Sequence, residues 1–241
     1  MRKTKICLII ATSLILIGGI IFAGVMTALR WDFIKLSTVE YETNNYEINE
    51  NFKNISITSD TADVEFIVSK NEKSTVVCYE EKNFKHSVEV KEDTLVIEID
   101  DTRKWYEHIG VSFGQSKITV YIPQVEYGTL SVKVSTGDVN ITDIKCKNVI
   151  SSGSTGEIYL KNVIAKEKFS IVRSTGDVKL DSCDADEIFI KTDTGDVKGS
   201  LLTDKVFITE TDTGSTNVPK TTKGGKCEIT TDTGDIKFTV G

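Results

Sequence analysis

Residues 135–197 read STGDVNITDIKCKNVISSGSTGEIYLKNVIAKEKFSIVRSTGDVKLDSCDADEIFIKTDTGDV, and one short phrase keeps returning in them. It stands as Ser135-Thr136-Gly137-Asp138-Val139, Ser154-Thr155-Gly156-Glu157-Ile158, Ser174-Thr175-Gly176-Asp177-Val178 and Asp193-Thr194-Gly195-Asp196-Val197. Downstream follow Asp212-Thr213-Gly214-Ser215 and Asp232-Thr233-Gly234-Asp235-Ile236. The glycines are 19, 20, 19, 19 and 20 residues apart, a fixed period that marks a repeat architecture.

Aligned on glycine, the repeats give apolar columns. Two residues beyond it stand Val139, Ile158, Val178, Val197 and Ile236; four beyond stand Ile141, Leu160, Leu180, Val218 and Phe238; seven beyond stand Ile144, Val163, Cys183 and Leu202. Seven before the next glycine come Val149, Phe169, Ile188, Phe207 and Cys227, and five before it Ile171, Ile190 and Ile229. The columns alternate with period two, which places them on one face of short strands, about two strands and two turns per repeat. One such unit cannot bury its apolar face alone, but a stack can. The fold expected is all-β, a parallel β-helix or β-solenoid with coils of 19–20 residues spaced by about 4.8 Å. Glycine supplies the turn dihedral, and the Thr or Asp before it bonds locally to the backbone.

Upstream, Ile55, Ile57, Thr61, Ala62, Asp63, Val64 and Phe66 fit the repeat with Ala in place of Gly, and Leu130 with Val132 leads into Gly137. Between them the period is lost: TVVCYEE, SVEVKEDTLVIEID and SKITVYIP read as longer strands, with Lys91-Glu92-Asp93 as a turn. Residues 101–116, DTRKWYEHIGVSFGQS, are expected to protrude as a loop or to cap the stack. The N-terminal β-region is placed at 51–129 and the regular repeats at 130–241.

At the N-terminus a cytoplasmic head, residues 1–5, precedes 24 uncharged residues from Ile6 to Leu29. A helix of that length reaches about 36 Å, enough for a hydrocarbon core, and the run is longer than a cleaved signal uses. One transmembrane anchor, 6–29, a stalk, 30–50, and an extracytoplasmic C-terminal domain of a single-pass membrane protein are expected, with Arg30, Trp31 and Phe33 at the interface. Residues 1–30 hold four basic and no acidic residues, so the remainder carries 25 basic against 36 acidic and a charge of −11. So acidic a domain excludes nucleic acid as partner.

The matching features, namely the apolar N-terminal segment, SKITVYIPQVEYGTLSVKVSTGDV with its Pro123, and the serial TGDV or TGEI phrases, resemble the DUF4097 family of adhesin-like β-strand-repeat proteins of bacterial envelopes. The resemblance covers about residues 50–241 and implies a right-handed β-helix or β-roll outside the membrane, with some members tied to envelope-stress systems. It brings no catalytic residue. Ala62, Ser215 and the basic Lys220–Lys226 stretch depart from the phrase.

No catalytic, cofactor-binding or metal-binding residues are assigned from the sequence. His86 and His108 are the only histidines, and HExxH does not occur. The turn acids Asp138, Glu157, Asp177, Asp196 and Asp235 could line up for a divalent cation, but solvated surface carboxylates explain them more simply. The threonine column is read as turn capping, and Cys183 and Cys227 as core fillers. Two contact surfaces are expected. One is a recognition loop of Trp105, Tyr106, His108 and Phe113, whose large side chains stand in a Thr/Asp-rich surface. The other is the C-terminal end, where Ile236, Phe238 and Val240 would lie uncovered and support end-to-end self-association. Taken with the resemblance, the expected function is a non-enzymatic scaffold that recognises another envelope protein or a cell-wall polymer, or modulates envelope-stress signalling. The alternative is a polysaccharide-binding or weakly carbohydrate-active module.

Overall fold

The computed structural model describes residues 2–36, 39–70, 72–101 and 114–241. It has two units, the first built on helix α1 (Arg2–Ala28). Thr4–Ala28 is long and apolar enough to cross a bilayer. Three hydroxyls along it are satisfied within the helix: Thr12, Ser13 and Thr27 donate to the carbonyls of Leu8, Ile9 and Ala23 at 2.9, 2.9 and 2.8 Å.

The second unit is all β. With strands numbered in chain order, one row of parallel strands runs in space β6 (Thr94–Asp101), β2 (Asn54–Thr61), β8 (Glu126–Thr136), β10 (Lys145–Thr155), β12 (Ile164–Thr175), the later part of β13 (Val178–Thr194), β17 (Gly225–Thr233) and β15 (Lys205–Thr213). The second row runs β7 (Lys117–Ile122), β3 (Asp63–Val68), β9 (Val139–Thr142), β11 (Ile158–Lys161), the start of β13, β14 (Val197–Leu201), β18 (Ile236–Val240) and β16 (Thr216–Asn217). Three antiparallel strands close the N-terminal end. β4 (Ser74–Glu81) pairs with β7, β1 (Tyr41–Ile48) with β4, and β5 (Phe84–Lys91) with β6. Residues 41–48, expected within the stalk, are thus a paired strand.

The register is that of the sequence repeat. Val139, Ile158, Val178, Val197 and Ile236 stand opposite one another in successive strands, as do Val149, Phe169, Ile188, Cys227 and Phe207. Most of these side chains, Cys227 among them, are buried in one continuous core that also takes in Cys183. Phe207 is half-buried in the outermost repeat, where its ring lies 5.8 Å from that of Phe238. Leu202 is 45% exposed, and Leu201 takes the inward place beside Cys183. The reason lies in the second corner. Asp143, Asn162 and Ser182 turn it in a left-handed conformation (φ 59°, 51° and 55°), and the later repeat reaches the same level one residue earlier.

The order of the repeats in space differs from their order in the chain at both ends. The final repeat, β17 and β18, lies between β13–β14 and β15–β16, so the repeat of Gly214 is outermost. At the other end β6 and β7 lie outside β2 and β3. Backbone bonds at the glycine corner follow the spatial order: the N–H of Gly195 donates to Thr233 and that of Gly234 to Thr213, both at 2.9 Å.

Candidate functional site

The acidic turn column has a structural task. The aspartates of the column accept the backbone N–H of the equivalent residue in the adjoining repeat: Asp138 N–H to Asp63 at 2.9 Å, Glu157 to Asp138 at 2.8 Å, Asp196 to Asp177 at 2.8 Å, Asp235 to Asp196 at 2.7 Å and Ser215 to Asp235 at 2.9 Å. These residues are a hydrogen-bonded ladder, which corrects the expectation of merely solvated acids. Lysine reinforces it. The Lys198 ammonium and the Asp235 N–H hold Asp196 below the usual carboxylate range, and Lys237 with Ser215 does the same for Asp235.

The end-contact surface expected at the C-terminus does not form. Ile236 and Phe238 are buried and Val240 partly so, because β18 is flanked by β14 and β16. Trp105, Tyr106, His108 and Phe113 lie outside the described residues.

Instead, two features gather at the N-terminal end of the stack. One is a cleft of about 390 Å³ on the outer side of the second row, lined by Ile67, Val68, Lys70, Thr75, Val77 and Tyr121. Strand alternation turns Val76, Cys78 and Glu80 of β4 inward and leaves Thr75, Val77 and Tyr79 outside. Tyr121 stands opposite Thr75 and Ile67 in the ladder, and Tyr79 stacks on Tyr41 with ring centroids 5.1 Å apart.

The other is a buried polar cluster. Ser59 Oγ lies 2.9 Å from His86 Nε2, and His86 Nδ1 lies 2.7 Å from Glu80 Oε2. That oxygen also accepts the His86 backbone N–H at 2.7 Å, and Oε1 accepts from Asn44 at 2.8 Å. The Tyr46 hydroxyl donates to the His86 carbonyl at 3.2 Å. Burial, then the charge of Glu80, pushes the neighbouring Cys78 thiol up to about 12. The order hydroxyl, imidazole, carboxylate is that of a nucleophile relay. Ser59 is only 3% exposed, however, and faces the core, so no substrate carbonyl can reach its oxygen. Sequence reasoning passed over this cluster because Ser59 and Asn44 stand 27 and 36 residues from the partners they meet. The available signal was the alternation of TVVCYEE, which puts a carboxylate on the Val76 face.

A family model described as Toastrack DUF4097 matches residues 52–241. Among solved structures, a protein from Clostridium sporogenes ATCC 15579 described as a candidate cell adhesion protein aligns at 14% identity with a TM-score of 0.50, covering 85% of this chain and 100% of that one. A candidate adhesin from Bacteroides fragilis NCTC 9343 aligns at 17% identity with a TM-score of 0.51, covering 83% and 97%. At these identities the likeness is one of fold. No curated protein matches the sequence.

Proposed function

The chain belongs to the DUF4097 toastrack family, and from that premise we propose that it is a non-catalytic recognition scaffold of the bacterial envelope. In this reading α1 anchors the chain in the cell membrane, the stack winds as a right-handed β-solenoid on the extracytoplasmic side, and its outer surface engages another envelope protein, through which it modulates stress signalling. The names of the two solved relatives, both candidate adhesins, support a role in surface contact. The observation that carries the choice of partner is the cleft beside β3, β4 and β7, because its walls are mainly the aliphatic and aromatic groups Ile67, Val68, Val77 and Tyr121. The stacked Tyr41–Tyr79 pair nearby gives the second reading, a cell-wall polysaccharide bound on aromatic faces.

The test has two parts. In intact cells a membrane-impermeant thiol reagent is expected to label Asn49→Cys and to spare Lys3→Cys; the opposite pattern reverses the orientation. A photo-crosslinker at Val77 is expected to capture one envelope protein that the same group at Lys191, on the outer side of the first row, does not. Capture of glycan from Val77 selects the second reading, and equal capture from both sites removes the cleft from the argument.

A further inference from the structure

Three of the side chains gathered at the start of the stack are of the kinds that bind transition metals, and local structure explains their convergence. Cys78 and Glu80, two apart on β4, share its inward face. The turn at Lys82-Asn83 reverses the chain, and β5 carries His86 back to them. Cys78 Sγ, a carboxylate oxygen of Glu80 and a ring nitrogen of His86 lie within 4.8 Å of one another, and all three residues are buried.

We propose that Cys78, Glu80 and His86 bind one divalent cation of the zinc type in the N-terminal cap of the stack. Ligand chemistry selects the metal class. Thiolate and imidazole favour zinc and its neighbours over calcium or magnesium, which prefer all-oxygen shells. Charge selects the stoichiometry. One doubly charged cation with a thiolate, a carboxylate and a neutral imidazole forms a neutral unit, the form that burial tolerates best. Without the metal, Glu80 is buried among Asn44, the His86 amide and the His86 ring, and of these only the ring can carry a countercharge.

The surrounding bonds already orient the ligands. Asn44 and the His86 N–H hold the two oxygens of Glu80. Ser59 Oγ, 2.9 Å from Nε2, accepts the imidazole proton once Nδ1 is given to the metal, the outer-sphere bond that metal-bound histidines typically make. On binding, the thiol proton leaves to solvent and its electron pair forms the metal–sulfur bond. The cation's charge thereby offsets the burial that keeps Cys78 protonated.

The full chain, in detergent micelles and stripped by chelator, is titrated with Co²⁺ as a spectroscopic substitute for zinc. One equivalent is expected to produce a thiolate-to-cobalt charge-transfer band that Zn²⁺ removes. Cys78→Ser is expected to lose the band and His86→Gln to weaken binding by at least about tenfold, while Cys227→Ser keeps both. Zinc is also expected to raise the Tm of the unsubstituted chain and EDTA to reverse the rise, a readout that needs no variant to fold. Absence of the band at stoichiometric cobalt, survival of the band in Cys78→Ser, or a Tm indifferent to saturating zinc overturns the proposal.

Discussion

At each corner of the stack one residue meets two demands together. Gly156 holds φ at 130°, and a Cβ there would lie 2.1 Å from the carbonyl oxygen of Gly137 in the adjoining repeat. Backbone cannot yield as a flexible side chain does, so Gly156→Ala is expected to cost more than about 2 kcal/mol in urea unfolding. A loss below about 0.5 kcal/mol would mean that the corner relaxes. The carboxylates beside the glycines make stability depend on pH. Asp196 and Asp235 are held more acidic in the folded chain than in the unfolded one, so their contribution is complete above the unfolded value, about 3.9, and is lost as pH falls through the folded values. The Tm is expected to hold from neutrality to about pH 4 and to decline below it, less steeply in the Asp196→Asn, Asp235→Asn double variant. Equal slopes would show that the ladder carries no such linkage.

Among strands, the inward columns decide which positions tolerate change. Leu201 closes β14 at 1% exposure and Leu202 stands outside at 45%, although the repeat alignment puts Leu202 in the column. Leu201→Ala is therefore expected to cost about 2–4 kcal/mol and Leu202→Ala less than about 0.5 kcal/mol in the same urea assay; the reverse ranking would restore the alignment. This pair also marks how far the sequence could be read. Period, corners and columns are local, because alternation and the glycine dihedral act over a few residues, and they placed Val139, Ile158 and Val178 correctly in the core. A one-residue slip at a corner leaves the hydrophobicity pattern almost unchanged, since Leu201 and Leu202 are the same residue type. The polar cluster was harder still. Ser59 and His86 stand 27 residues apart, and only the closure of β5 over β6 and β2 brings them together.

For the molecule as a whole, the order of repeats in space was illegible for a related reason. Every repeat offers similar parallel edges with the same register, so the sequence does not say which edge the final repeat takes. Paired cysteines test the answer. Phe189 and Ile208 each stand opposite Glu228, from its two sides. Phe189→Cys with Glu228→Cys is expected to form a disulfide on oxidation, and Phe189→Cys with Ile208→Cys is not, because two strand spacings, about 9.6 Å, exceed what a disulfide spans. Efficient crosslinking of the second pair would return the repeats to chain order. The interleaved ends also bear on how such a protein could change length over evolutionary time. A new repeat seeking to dock on β18 would find that strand already flanked by β14 and β16. A duplication of an internal repeat, by contrast, brings two matching edges with it and separates neighbours that already fit. Lengthening of this architecture is thus expected to come from the middle of the gene outward, with the sequences of the two terminal repeats acting as fixed bookends.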